Sequence, residues 1–198
     1  MHLPTNAALL VVDVQIAINR PEKGRRNNPQ ADENIARLLS AWRELGHPIF
    51  HVKDNSPSPT SAFHPSQPGN AIQPYARPLP GEPLIEKETH SAFIGTDLET
   101  RLRNAGIETV VIAGFVTNHC VEATARVAGD LGFTTYVVGD ATGTHDLTDL
   151  DGRVVDANTV HAVSLANLHG EFASVVETDE VLAALNATRS PEAFTPSA

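Results

Sequence analysis

Apolar residues fall along this chain in two alternating rhythms. Residues 7–12, Ala-Ala-Leu-Leu-Val-Val, are an unbroken apolar run, as expected of a strand covered on both faces. From 32 to 45, Ile35, Leu38, Leu39, Trp42 and Leu45 recur at helical spacing, and Gly46 stops the pattern. The alternation then continues. Residues 47–52, 83–86, 108–113, 134–138 and 172–176 read as strands. Residues 97–105, 121–131, 151–168 and 179–187 read as helices. Thr96 is the expected N-cap of the helix at 97–105, and Gly106 its stop. Residues 56–80 are rich in Pro and Ser and too polar for a core element. A second polar stretch covers 139–149.

Strands alternating with helices imply an α/β fold with a parallel sheet covered on both sides. Right-handed crossovers place the strand C-termini along one edge, where ligands bind in open sheets. Residues 1–188 read as one domain, and 189–198 as a peripheral or disordered tail.

Composition narrows the partners. Of 198 residues, 41% are hydrophobic, enough for a substantial core. No apolar run reaches membrane-spanning length, and residues 1–6 lack signal-peptide features. A net charge of -10 argues against a nucleic-acid partner. The short basic cluster Lys23, Arg25, Arg26 reads as a solvated loop. The single cysteine excludes internal disulfides and fits a reducing cytoplasm.

That cysteine, Cys120, sits where a strand gives way to an alanine-rich helix. N–H groups without helical partners surround such a turn, which favours the thiolate. Asp13 and Lys87 also end, or directly follow, expected strands. Asp13 can accept the thiol proton and return it to a leaving amine. Lys87 can stabilise both anions and lower the thiol pKa. Taken singly, each residue has an ordinary reading: a small buried apolar residue, a turn cap and a surface lysine. Only their coincidence at one sheet edge suggests a nucleophile unit. His119 adjoins Cys120, but neighbours on a helix do not face each other. His51, Asp54 and His64 have no regular metal-ligand spacing, and no glycine-rich nucleotide loop follows Val12. Neither a metal nor another cofactor is expected.

The chain resembles the isochorismatase-like cysteine hydrolases, which include nicotinamidases, N-carbamoylsarcosine amidase, biuret hydrolase and isochorismatases. The matching segments are Leu9-Leu10-Val11-Val12-Asp13-Val14-Gln15, Glu86-Lys87 leading to Ser91-Ala92-Phe93, and Val137-Val138-Gly139-Asp140-Ala141-Thr142. The most specific is Ala113-Gly114-Phe115-Val116-Thr117-Asn118-His119-Cys120-Val121-Glu122-Ala123-Thr124. The resemblance implies a three-layer α/β/α fold with a six-stranded parallel sheet in Rossmann-like order. It implies a catalytic triad of Asp13, Lys87 and Cys120. It also implies a cis peptide between Phe115 and Val116, an oxyanion hole from the N–H groups of Val116 and Cys120, and a homodimer or larger homo-oligomer. Nicotinamidases of the family hold a metal through an Asp-x-His pair and a later His. Here that position reads Asp54-Asn55-Ser56.

The expected activity is therefore metal-independent hydrolysis of a C–N bond in a small amide, ureide or lactam, through a thioester on Cys120. Asp13 serves as base in both halves of the reaction. Gln15, Phe93, Phe115 and His145 are the expected lining of a small substrate pocket, with Thr144 closing over it. Two alternatives remain open. One is isochorismatase-type vinyl-ether hydrolysis with Asp13 as general acid. The other is a non-catalytic binding protein or thiol redox sensor.

Overall fold

The computed structural model describes residues 1, 3–20 and 24–188. Lys23 and the expected tail at 189–198 lie outside the described residues.

Six parallel strands form the central sheet: β1 (Ala8–Val12), β2 (Ile49–Asp54), β3 (Leu84–Lys87), β4 (Thr109–Phe115), β5 (Thr134–Gly143) and β8 (Ser174–Val176). Their order is β3-β2-β1-β4-β5-β8. Every residue of β1 and β4 is buried, which accounts for their continuous apolar runs. Helices α1 (Ala31–Leu45) and α5 (Thr178–Thr188) cover one face of the sheet. There Ile35, Leu38, Leu39, Trp42, Val181 and Leu185 pack against Leu9, Val11 and Val111. Helices α2 (Leu98–Asn104), α3 (Glu122–Asp130) and α4 (Ala157–Leu168) lie on the other. Leu98, Leu102, Val121, Ala125 and Leu168 there meet Leu10, Val12 and Ile112. Among the described residues no helix is long and apolar enough to cross a membrane.

Trp42 locks α1 to the start of β1. It is fully buried, and its indole N–H donates to the Ala7 carbonyl at 3.0 Å. Trp42→Phe loses that bond and part of the ring, leaving a buried carbonyl unpaired. The expected loss is about 2 kcal/mol, read from a lower denaturant midpoint at unchanged slope.

Several elements depart from the sequence expectation. The strand expected at 134–138 runs on to Gly143, because its register against β4 shifts between Ile112 and Gly114. Asn28 Nδ2 donates to Gly139 O and Thr142 O at 3.0 and 2.8 Å, satisfying carbonyls in the irregular part. The helix expected from 151 begins instead at Ala157, where Asp156 caps the N–H groups of Asn158 and Thr159. Before it, β6 (Leu147–Thr148) and β7 (Val154–Val155) form a small antiparallel ribbon. Asp149 closes that ribbon's turn by accepting from Asp151 and Arg153 N–H. At the start of α2 the cap position falls on Asp97, which makes no side-chain cap bond; Thr96, one residue earlier, donates to Ala92 O and accepts from the Leu98 N–H at 3.4 Å. Residues 56–80 hold two 3-10 turns and pack on Asn70, whose amide donates to Asp54 O, Asn55 Oδ1 and Phe63 O. Arg26 is no solvated loop residue: it pairs with Asp32 and lies 4.6 Å over the Phe115 ring centroid.

Candidate active site

The sheet register brings three strand ends side by side. Val12 lies between Val52 and Gly114, and Lys87 lies beside Asp54. Gly114 makes the close approach possible. A Cβ on it would stand 2.0 Å from Val12 O, and its φ of +127° disfavours any side chain. Just past β1, Asp13 turns the chain with φ 49°, a left-handed conformation that Asp tolerates better than most residues. Past β4, the Phe115–Val116 peptide is cis. A π-type turn, Thr117–Val121, then leads into α3 and carries Cys120. Val116 O accepts from His119 N–H at 3.1 Å and from Val121 N–H at 3.3 Å. The second is the i to i+5 bond that widens the turn.

Helix α4 supports this turn from below. Asn28 Nδ2, whose two hydrogens serve Gly139 O and Thr142 O, stands 3.3 Å from His161 Nε2. His161 Nδ1 shares a hydrogen bond of 2.8 Å with Thr117 Oγ1, which a neutral imidazole makes as donor or as acceptor. Burial holds the His161 pKa below its ordinary value, which suits this neutral form.

The three candidate catalytic groups meet at the sheet edge. Lys87 Nζ donates to Asp13 Oδ2 at 2.7 Å and to Cys120 Sγ at 3.5 Å. Asp13 and Lys87 are each 2% exposed, so this is a buried ion pair with the thiol as its third member. Asp13 Oδ1 is buried and without a hydrogen-bond partner among the described residues. Burial raises the Asp13 pKa to about 6, against the opposing pull of Lys87 and the Cys120 thiol. Burial also opposes the Lys87 ammonium, but Asp13 and Cys120 outweigh it and its pKa is raised. Asp54 adds a further carboxyl, raised by burial.

The thiolate expected from the turn position is not what this environment favours. Burial first, then the Asp13 charge, push the Cys120 thiol well above its ordinary pKa, and Lys87 only partly offsets them. The resting pair is therefore a thiol beside a carboxylate. Its proton must move to Asp13 as the sulfur attacks.

A cavity of about 300 Å³ opens over the sulfur, walled in part by Asp13, Asp54, Phe115, Val116, Cys120 and His145. Thr144 also stands on this wall, and the 56–80 segment contributes Phe63. Gln15 and Phe93 do not line it. Gln15 is fully buried, donates to Asp54 O and Asn70 O, and accepts from Asp54 N–H, so it clamps the chain behind the site. Phe93 packs in the core against Phe133, with ring centroids 5.8 Å apart. His119 does face the cavity alongside Cys120, because the turn between them is not a regular helix. His90, which no spacing placed, approaches Cys120 Sγ through Nδ1 at 3.9 Å. Its position three residues after Lys87 was the only available signal.

The residues at 54–56 do not fit the family's metal site. Asn55 is engaged by Glu86 and Asn70, and Ser56 Oγ accepts from Ser58 N–H. His51 bonds Glu82, and His64 bonds Ser66. Among the described residues no three His, Cys, Asp or Glu side chains are grouped to hold a metal ion.

Comparison with known proteins agrees with this architecture. A family model for the isochorismatase domain matches residues 7–180. The uncharacterised isochorismatase family protein YrdC of Bacillus subtilis is 44% identical over 175 residues, covering 88% of this chain and 94% of the relative. Nicotinamidase 3 of Arabidopsis thaliana is 30% identical over 188 residues, covering 88% of this chain and 86% of its own. A solved structure of an isochorismatase-family protein from Chromobacterium violaceum matches with a TM-score of 0.92 at 45% identity, covering 94% of this chain and 97% of the other. With this sheet order, and with Asp13, Lys87 and Cys120 gathered at its edge, the chain belongs to the isochorismatase family of hydrolases.

Proposed function

We propose that this hydrolase cleaves the C–N bond of a small amide, ureide or lactam through a thioester on Cys120. The observation that carries this reading is the Lys87 ammonium, which touches both the Asp13 carboxylate and the Cys120 sulfur. Cys120 attacks the substrate carbonyl while its proton passes to Asp13. The oxyanion rests on the N–H groups of Val116 and Cys120, where a single donor is typically worth about 3 kcal/mol of barrier. Asp13 then protonates the departing nitrogen, and the C–N bond breaks. Lys87 holds the buried anions throughout. Water releases the acid from the thioester. The steps use this chain's own side chains, and the 54–56 segment supplies no Asp-x-His pair for a metal.

The cavity volume, near the lower end for ligand sites, supports a small substrate. Phe115 and His145 are its proposed specificity residues. The similarity to a nicotinamidase supports amide cleavage over ether cleavage.

A panel of small amides, ureides and lactams, assayed for ammonia or amine release, tests the reading. Its pH profile has a stated shape. Asp13 must be a carboxylate to take the thiol proton, and its pKa lies at about 6. kcat/KM is expected to fall about tenfold per unit below pH 6 and to level off above it. A flat profile through that point would contradict the role of Asp13.

A further inference from the structure

We propose that the catalytic cavity selects a substrate carrying a cationic nitrogen near the scissile carbonyl, as a protonated amine, amidine or guanidine, and that the Asp54 carboxylate receives that group. The assignment rests on the C–N reading above and adds the chemical class of the substituent.

The first observation is a carboxylate at the cavity whose main chain, not its side chain, is held. Asp54 ends β2 and lines the cavity. Gln15 and Asn70 both donate to its carbonyl at 3.0 Å, and its N–H donates to Gln15 Oε1 at 2.9 Å. Those bonds fix the backbone and use neither carboxylate oxygen. Asn55 and Ser56 are engaged elsewhere, so among the described residues the carboxylate has no metal-ligand set to join.

The second is the charge of the wall. Lys87 lies beside Asp54 in the sheet register, but its ammonium bonds Asp13 and Cys120. Asp54 is left undercompensated: burial raises its pKa, and Lys87 and His90 only partly offset that. Asp146 supplies another carboxylate, with Oδ1 accepting from Ala157 N–H at 2.7 Å. Among the described residues lining the cavity, none is Lys or Arg. The imidazoles of His90, His119 and His145 are the other titratable nitrogens there, and His145 spends its Nε2 proton on Ile18 O at 3.1 Å.

The third is an acceptor that awaits a donor. Asp13 Oδ1, on the same wall, is buried and without a hydrogen-bond partner among the described residues. The cavity therefore offers negative charge and open acceptors. A cleft lined by one sign of charge raises the local concentration of the opposite charge by about tenfold or more, and repels its own.

Cys120, the chain's one cysteine, serves as reporter inside this cavity. Aminoethyl, propyl and carboxyethyl methanethiosulfonate end in an ammonium, a methyl and a carboxylate, and modify thiols by the same exchange. Each rate is followed by mass on the whole protein and divided by that reagent's rate with mercaptoethanol. The ammonium reagent is expected to react at least about tenfold faster than the propyl one, and the carboxylate reagent slowest. In Asp54→Asn the ammonium advantage should fall to within about threefold, and the ratio cancels any change in the reactivity of the sulfur itself. Asp54→Ala is expected to behave alike. Asp146→Asn, which keeps an acceptor for Ala157 N–H, should retain most of the advantage. Equal normalised rates in the wild type, or an advantage undiminished in Asp54→Asn, would overturn the assignment. In the panel of amides, ureides and lactams, members bearing an ammonium or guanidinium are expected to lead in kcat/KM, and a preference for carboxylate-bearing members would overturn it too. A panel with no hydrolysed member beside an intact reagent order would count against the C–N reading while upholding the selection of a cation.

Discussion

Cys120→Ala is expected to lower amide turnover by about 10⁴-fold or more, the scale reached when the nucleophile of a coupled set is removed. The reason is chemical. The chain has one cysteine, and no other side chain at the cavity combines a nucleophilic sulfur with a neighbouring base. Asp13 and Lys87 remain in such a variant, but the covalent intermediate cannot form. The fold should survive, since the side chain is small and alanine fits the same space. Near-normal unfolding with absent turnover is thus the expected pair of results. The variant also separates the alternatives. Vinyl-ether hydrolysis with Asp13 as general acid does not need the sulfur, so retained turnover of isochorismate would favour it. Reversible oxidation of Cys120 in a wild type that hydrolyses no amide would favour a thiol sensor.

Lys87→Met is expected to damage both stability and activity. Lys87 and Asp13 form a buried ion pair 2.7 Å long, and the lysine is almost wholly enclosed. Removing one member of such a pair leaves an uncompensated buried charge, at a cost of about 3 kcal/mol or more. The carboxyl escapes part of that cost by taking up a proton. Lys87 is the largest influence holding the Asp13 pKa down against burial, so without it the pKa rises further above about 6. Asp13 is then largely protonated near neutral pH and cannot accept the thiol proton. A loss of at least about 10²-fold in kcat/KM follows, with the acid limb displaced to higher pH. A variant with an unmoved acid limb would show that Lys87 does not set the charge of Asp13.

The parts of the fold legible in the sequence were those dominated by burial. β1 and β4 are covered on both faces, so their runs are apolar throughout. α1 buries one stripe, so its periodicity is plain. The ribbon β6–β7 is not legible because its four residues carry no strand-length pattern, and its turn depends on Asp149 bonding backbone N–H groups. The extension of β5 was hidden by its polar composition, which Asn28 and Asn34 satisfy from distant parts of the chain.

The site divides in the same way. Asp13 and Lys87 stand at strand ends and Cys120 in the turn between β4 and α3, and such strand-to-turn boundaries can be read from sequence. Gln15 and Phe93 follow strand ends closely too, yet one faces a backbone clamp and the other a core ring. Side-chain direction just beyond a strand depends on the turn, which no periodicity reports. The ionisation of Cys120 is hidden from the sequence for a related reason. The favourable turn was visible, but the enclosure of the sulfur and the charge of Asp13 beside it were not.

The central claim is that Cys120 carries the acyl group between two half-reactions. Mass spectrometry of the Cys120 peptide, after acid quench during turnover of a hydrolysed amide or ureide, tests it most directly. The account predicts an added mass equal to the substrate's acyl fragment, confined to Cys120 and lost on longer incubation as free acid appears. Sustained product formation with Cys120 unmodified at every quench time, and equal product from Cys120→Ala, would contradict it.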